Sequence, residues 1–120
     1  MIKTFRDLEV YTESYQLMLI VHEGVKKFPV YERTDLAPQM RRCSKSPPAN
    51  IAEGWAKRNF EKEFKKHLGT AIGSCNEMEV HIETARDLGY WDKEFCQSLL
   101  KRYQNVGGKL NNLRENWKTY

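Results

Sequence analysis

No stretch of this chain approaches the roughly 20 apolar residues that a membrane-spanning helix needs. The N-terminal MIKTFRDLEVYTES carries neither the apolar core nor the small-residue cleavage site of a secretory leader. A cytoplasmic protein with no membrane partner is the expectation. Cysteine is scarce: Cys43, Cys75 and Cys96 are far apart, and no C-x-x-C occurs. Zinc-finger and thioredoxin readings therefore have no support, and three buried thiols acting as small hydrophobes are expected. The phosphate loop G-x-x-x-x-G-K-[ST] and the G-x-S-x-G elbow are both missing. Ser44, Ser46 and Ser74 have no base beside them in sequence. Bundles that hold two iron ions place Glu three residues before His. Here Leu19, Phe64 and Met78 stand three before His22, His67 and His81. Glu77 and His81 are spaced i and i+4, which reads foremost as an ordinary surface pair rather than as a pair of metal ligands. No catalytic residue, metal site or cofactor is expected, and the chain reads as a non-enzyme.

What is present is helical periodicity. The 120 residues suit one domain spanning 1–120, without strand alternation, internal repeat or low-complexity tract. A first helix opens at Thr4, with Asp7 completing a capping box. Its apolar stripe is Leu8, Tyr11, Tyr15, Met18, His22 and Val25, and Phe28-Pro29 ends it. A second helix takes Thr34 as N-cap and Pro38 in its first turn, and turns Leu36, Met40 and Cys43 inward. Pro47-Pro48 then kinks it, Ser46 capping a restarted turn that carries Ile51, Ala52 and Trp55. A third helix begins near Asn59, with Glu61 and Glu63 in its first turn. Its stripe is Phe64, Leu68, Ala71, Cys75, Met78, Ile82 and Ala85. Gly69, Ala71, Gly73 and Ser74 thin its middle and invite a neighbour's backbone. Gly89 is the expected C-cap. A fourth helix starts at Asp92 with the stripe Phe95, Leu99, Tyr103, Val106, Leu110, Leu113 and Trp117, and Gly107-Gly108 is placed to bend it or admit a neighbour. Short links between long helices predict an all-α, antiparallel up-down-up-down four-helix bundle, its second helix kinked at Pro47-Pro48.

Charge is uneven. Between Arg41 and Lys66 lie eight basic residues (Arg41, Arg42, Lys45, Lys57, Arg58, Lys62, Lys65, Lys66) against three acidic ones, an excess larger than the whole chain's net +4. Glu77, Glu79, Glu83 and Asp87 form an acidic counterpart opposed only by Arg86. Such polarisation bears on partners. The basic residues flank Trp55 and Phe60, and aromatics stack on unpaired bases. This is the candidate nucleic-acid-binding set, RNA or DNA, with a solvated surface as its bland alternative. Glu53 in Asn50-Ile51-Ala52-Glu53-Gly54 reads equally as an exposed acid or as a partly buried carboxylate bonded to Arg41, Arg42 or a backbone donor freed by the prolines. His67, after Lys65-Lys66, is expected to add to the basic face, and His22 to sit in the core. Phe5, Trp91, Trp117 and Tyr120 exceed what one small core hides, which points to association with a second copy or with another protein. Two functions follow: nucleic-acid binding, structured RNA foremost, or a scaffold that binds protein through apolar rims.

The segments FRDLEVY, SPPANIAEGW and HLGTAIGSCNEMEVHIETARDLGYW together resemble the four-helix proteins encoded within intervening sequences of bacterial 23S rRNA genes, the S23 family, related to accessory proteins of diversity-generating retroelements. The resemblance covers essentially the whole chain. It implies a four-helix bundle assembled as a ring-like homopentamer without catalytic activity and, from the retroelement relatives, a basic surface for nucleic acid and a reverse-transcriptase partner. The family motif falls on Asn50, Ile51, Ala52, Glu53 and Gly54, then on Gly73, Ser74, Glu77 and Glu79. Pro47 and Trp91 stand where the family usually has aliphatic residues.

Overall fold

The helices are α1 (Glu9–Gly24), α2 (Leu36–Ala56), α3 (Glu61–Asp87) and α4 (Lys93–Asn116). Short 3-10 turns occupy Phe5–Asp7, Val25–Lys27 and Val30–Thr34. The computed structural model describes residues 1–119; Tyr120 lies outside them. Side-chain pairings fix the directions. Cys43 reaches Ser74, Asn50 reaches His67, and Gly54 meets Phe64, so α2 and α3 run antiparallel. Gln104 bonds Glu79 and Gly69 sees Arg114, which makes α3 and α4 antiparallel. Arg102 pairs with Glu13 and Lys109 with Glu9, closing α4 on α1. Each helix touches its chain neighbours, α1 touches α4, and the diagonal pairs do not meet among the described residues. That is the expected up-down-up-down bundle.

The buried face of α1 differs from the expected stripe. Val10, Ser14, Leu17 and Val21 are buried, while Tyr15 is exposed and Tyr11, Met18 and His22 are half-buried. The face has turned by one residue, about 100° on a helix. Two facts explain it. Leu17 to Val21 is apolar all round, so the pattern there does not choose a side. Small Ser14 sits in the core and bonds its own helix at the Tyr11 carbonyl, while the tyrosines keep their hydroxyl ends near water. The Thr4–Asp7 capping box is present, but it caps the Phe5–Asp7 turn, and α1 starts afresh after extended Leu8. The Lys3 and Thr4 amides donate to Asp7 and hold its carboxyl below the ordinary value.

The second helix does not restart: α2 is continuous through Pro47 and Pro48, both buried. Ser46 therefore caps nothing. Its hydroxyl accepts from Asn50 at 3.1 Å and from Ser74 at 2.7 Å. The cost of the missing proline amides is about 3 kcal/mol or more per interior proline, and it is offset by packing both rings into the core. The N-cap is Asp35, not Thr34, and its side chain does not cap. Buried Glu32 does the work, accepting from the Leu36 amide at 3.2 Å and from the Tyr90 hydroxyl at 2.6 Å.

The third stripe is buried as expected, Phe64 through Ala85. Gly89, at φ +78°, follows the C-cap of α3. Its amide bonds Arg86 and that of Tyr90 bonds Ala85, which makes a full Schellman closure. Asp92 caps α4 through the Phe95 amide at 2.8 Å. The helix ends at Asn116, so Trp117 lies just beyond it, half-buried. The glycine expectations hold only in part: an added methyl at Gly107 would meet Cys75 Cβ of α3 at 4.0 Å. A methyl at Gly73 or Gly108 would meet nothing within 4 Å, and Gly69 faces only the tip of Arg114. Close approaches occur instead at Gly24 and Gly54, where an added Cβ would lie 2.8 Å from the Trp91 ring and 2.8 Å from His67 Cβ. Trp91 is not a spare aromatic: it is 5% exposed and its indole N–H donates to the Gly24 carbonyl at 3.0 Å. Phe5 is also half-buried, edge-on to Tyr11. Cys43, Cys75 and Cys96 are buried free thiols, as expected. No helix among the described residues is long and apolar enough to cross a membrane.

Candidate nucleic-acid interface

The eight basic residues do not share one face. Arg41 and Lys45, one helical turn apart, turn toward α1. Arg41 lines an open depression with His22, Lys26, Arg33, Val25, Phe28 and Ala37, and Lys45 borders an apolar groove with Tyr11, Tyr15 and Met18. Arg42 turns the other way, toward Ser74 and Glu77 of α3. The remaining five gather about 20 Å further along, given 1.5 Å of rise per residue, where α2 turns into α3. Lys57, Lys62 and Lys66 are exposed there without a carboxylate partner among the described residues. Lys65 pairs with Glu61 at 3.6 Å. Arg58 is held down: it donates to the Trp55 carbonyl at 3.0 Å and its guanidinium covers the Trp55 ring at 4.5 Å.

The aromatics of this end divide accordingly. Trp55 is half-buried, edge-on to Phe64 and Trp117 and covered by Arg58, so it offers no free face for a base. Phe60 is 69% exposed beside the lysines. The tail seals the turn from behind, since the Trp117 indole and the Thr119 hydroxyl both donate to the Arg58 carbonyl, at 3.3 and 3.0 Å.

The Asn50-to-Gly54 motif is a contact between helices. Ile51 is fully buried. Gly54 lets the backbone of α2 approach His67 and Phe64. The ring nitrogen Nδ1 of His67 lies 3.1 Å from Asn50 Oδ1 and 3.3 Å from Glu53 Oε2, and its Nε2 lies 3.5 Å from Lys57 Nζ. Glu53 is thus the exposed acid of the two readings, its side chain 63% exposed, with His67 as partner rather than Arg41, Arg42 or a backbone amide. His67 does not extend the basic face; it stitches α2 to α3. The second motif ties α3 to both of its neighbours. Ser74 bonds Ser46, Glu79 accepts from Gln104 at 3.0 Å, Glu77 pairs with His81 at 3.0 Å, and Gly73 is open. Burial pushes the thiols of Cys43 and Cys75 up to about 12, Glu77 adding to the rise at Cys43.

Sequence reasoning missed the grouping of Arg41 with Lys26 and Arg33, because the three come from different segments. It also misplaced His22, which is half-buried at that depression and bonded to the Met18 carbonyl rather than sunk in the core. Only the antiparallel packing of α1 on α2 brings the four together.

No curated protein matches this chain. A family model described as the 23S rRNA-intervening sequence protein matches residues 6–112, a span that includes the Asn50-to-Gly54 contact, the Ser74-to-Glu79 seam and the Schellman turn at Gly89. With nearly the whole bundle inside the match, the chain belongs to the 23S rRNA-intervening sequence protein family.

Proposed function

We propose that the protein is a non-enzymatic, cytoplasmic nucleic-acid-binding bundle that works on structured RNA as a homo-oligomer. The observation that carries this reading is the α2–α3 turn. Lys57, Lys62 and Lys66 stand exposed without a carboxylate partner among the described residues, beside exposed Phe60. Phosphate contacts from such cations supply affinity without sequence preference, and each adds to the salt dependence. Arg41 and Arg42 lie farther up α2, and a helical RNA backbone is long enough to reach both groups. The test is affinity for a generic structured RNA across a salt series. The wild type should bind tightly at low salt with a linear log–log slope. Lys57→Glu/Lys62→Glu/Lys66→Glu should flatten that slope by roughly one unit per lost contact, with Arg41→Glu/Arg42→Glu weakening binding further. Absence of wild-type binding, or binding indifferent to salt, overturns the reading.

A groove between α1 and α2 supports the scaffold reading and self-association. Phe5, Tyr11, Tyr15, Met18, Pro48 and Ala52 line it, with Lys45 its only charge. Exposed apolar surface of this kind favours a protein partner, and a second copy is the occupant consistent with the homopentamer that the family resemblance implies. Tyr15→Glu should then reduce the solution mass to that of one chain. A single-chain mass for the wild type removes the oligomer from the proposal.

A further inference from the structure

Away from the basic turn, near the middle of the α2–α3 seam, three side chains of different chemistry converge. Cys43 comes from α2, and Glu77 and His81 come from successive turns of α3. A sulfur, a carboxylate oxygen and an imidazole nitrogen from them all lie within 4.8 Å of one another. We propose that Cys43, Glu77 and His81 bind a divalent transition metal ion of the zinc type, clasping α2 to α3.

The donor set fits. Thiolate, imidazole and carboxylate bind zinc at about 2.0–2.3 Å, which places ligand atoms of a tetrahedral site roughly 3.5 Å apart. His81 Nε2 and Glu77 Oε2 are already 3.0 Å apart and the sulfur lies within 4.8 Å of both, a gap that small side-chain rotations close. A soft sulfur with an imidazole selects zinc or its neighbours over magnesium or calcium. Charge also balances: thiolate and carboxylate carry two negative charges against the ion's two positive ones. Among the described residues Glu77 pairs with no lysine or arginine, only with His81. The way in is a surface depression of about 480 Å³ onto which Cys43 and Glu77 open beside Gln39, Arg42, Ser46 and Ser74. A water from this depression completes the fourth position.

Binding is a proton exchange. The Cys43 S–H, which now donates to the Ser74 carbonyl at 3.3 Å, gives its proton to solvent, and the freed sulfur lone pair forms the bond to the metal. Affinity therefore rises with pH. Sequence reading passed over this site because Glu77 and His81 alone make an ordinary helix pair, and Cys43 lies far from them along the chain.

The test uses the full chain and cobalt(II), whose thiolate complexes absorb in the near ultraviolet. Wild type should develop a saturating one-to-one sulfur-to-cobalt charge-transfer band that zinc displaces. Cys43→Ser should abolish the band. His81→Gln, which keeps a polar side chain at a half-buried position, should weaken cobalt binding at least about tenfold. Cys96→Ser should leave the band unchanged, because Cys96 lies on α4 against the Ile82 carbonyl. The helical circular dichroism of each metal-free variant checks its fold, and if Cys43→Ser unfolds, His81→Gln decides. No band in wild type, a band that persists in folded Cys43→Ser, or unaltered affinity in His81→Gln overturns the proposal.

Discussion

The two ends of the bundle are built from the same materials and finished differently. At the end where α3 turns into α4, Phe28, Tyr90, Trp91 and Phe95 pack together. The Trp91 indole bonds a carbonyl of α1, and the one buried carboxylate, Glu32, satisfies both the start of α2 and Tyr90. At the end where α2 turns into α3, Trp55, Phe64 and Trp117 pack together, and the Trp117 indole again bonds a carbonyl. Here Trp55 and Trp117 stay half-buried, and three lysines face water without a carboxylate partner among the described residues. Both ends use polar groups in their own closure, and the second adds an exposed aromatic, Phe60, beside its exposed lysines. Stability and binding should therefore separate along the long axis.

The largest effect expected is from the two tryptophans. Trp91→Ala should destabilise the fold by about 3–5 kcal/mol, as large core truncations do. Trp117→Ala, at a half-buried site, should cost about 1–2 kcal/mol. Chemical denaturation of both variants tests this, and equal losses would erase the contrast. Next comes Glu32→Gln. It keeps one acceptor and loses the charge that two donors share, so about 1–3 kcal/mol should be lost; no change in RNA affinity should accompany it. The third is a pH effect. The hydrogen bond to Glu32 raises the Tyr90 pKa above its ordinary 10.0, and burial raises Cys43 and Cys75 from 9.0 to about 12. Groups raised in the folded state lend stability that is complete below their unfolded values and is lost as pH climbs toward the folded ones. Thermal stability should thus hold up to about pH 9 and fall between about 9 and 12. Tyr90→Phe should soften that fall, and an unchanged profile would remove Tyr90 from it. The smallest effect belongs to Lys57→Glu/Lys62→Glu/Lys66→Glu. Its unfolding free energy should stay within about 0.5 kcal/mol of wild type, as surface changes do, while RNA binding weakens and its salt slope flattens.

The sequence carried the closing end of this comparison better than its details. The stripe of α3 was legible because Phe64 to Ala85 repeats strictly and is bordered by polar residues on both sides. Gly89 and Asp92 were legible because their chemistry is local. The face of α1 was not, since Leu17 to Val21 is apolar in every direction and only packing against α2 and α4 selects a side. Pro47-Pro48 misled for a related reason. Propensity speaks for a break, but burying both rings in the bundle outweighs it. The candidate site suffered most. Eight cations adjacent in sequence were read as one surface, yet a helix distributes neighbours around its axis. The contacts of His67 with Asn50, of Glu32 with Tyr90 and of Cys43 with the Glu77–His81 pair join residues far apart in sequence, which no single window brings together.

The prolines of α2 have one more consequence. Without amides at positions 47 and 48, the carbonyls of Cys43 and Ser44 lose their helical donors, so the ladder of α2 lacks two consecutive rungs. Side chains span that gap, with Asn50 and Ser74 both fastened to Ser46. The helix is thus continuous in outline, but its hydrogen-bond ladder is weakest at the prolines. In amide exchange the segment before the prolines should open as its own cooperative unit, while the segment anchored at Gly54 stays shut until the whole bundle unfolds.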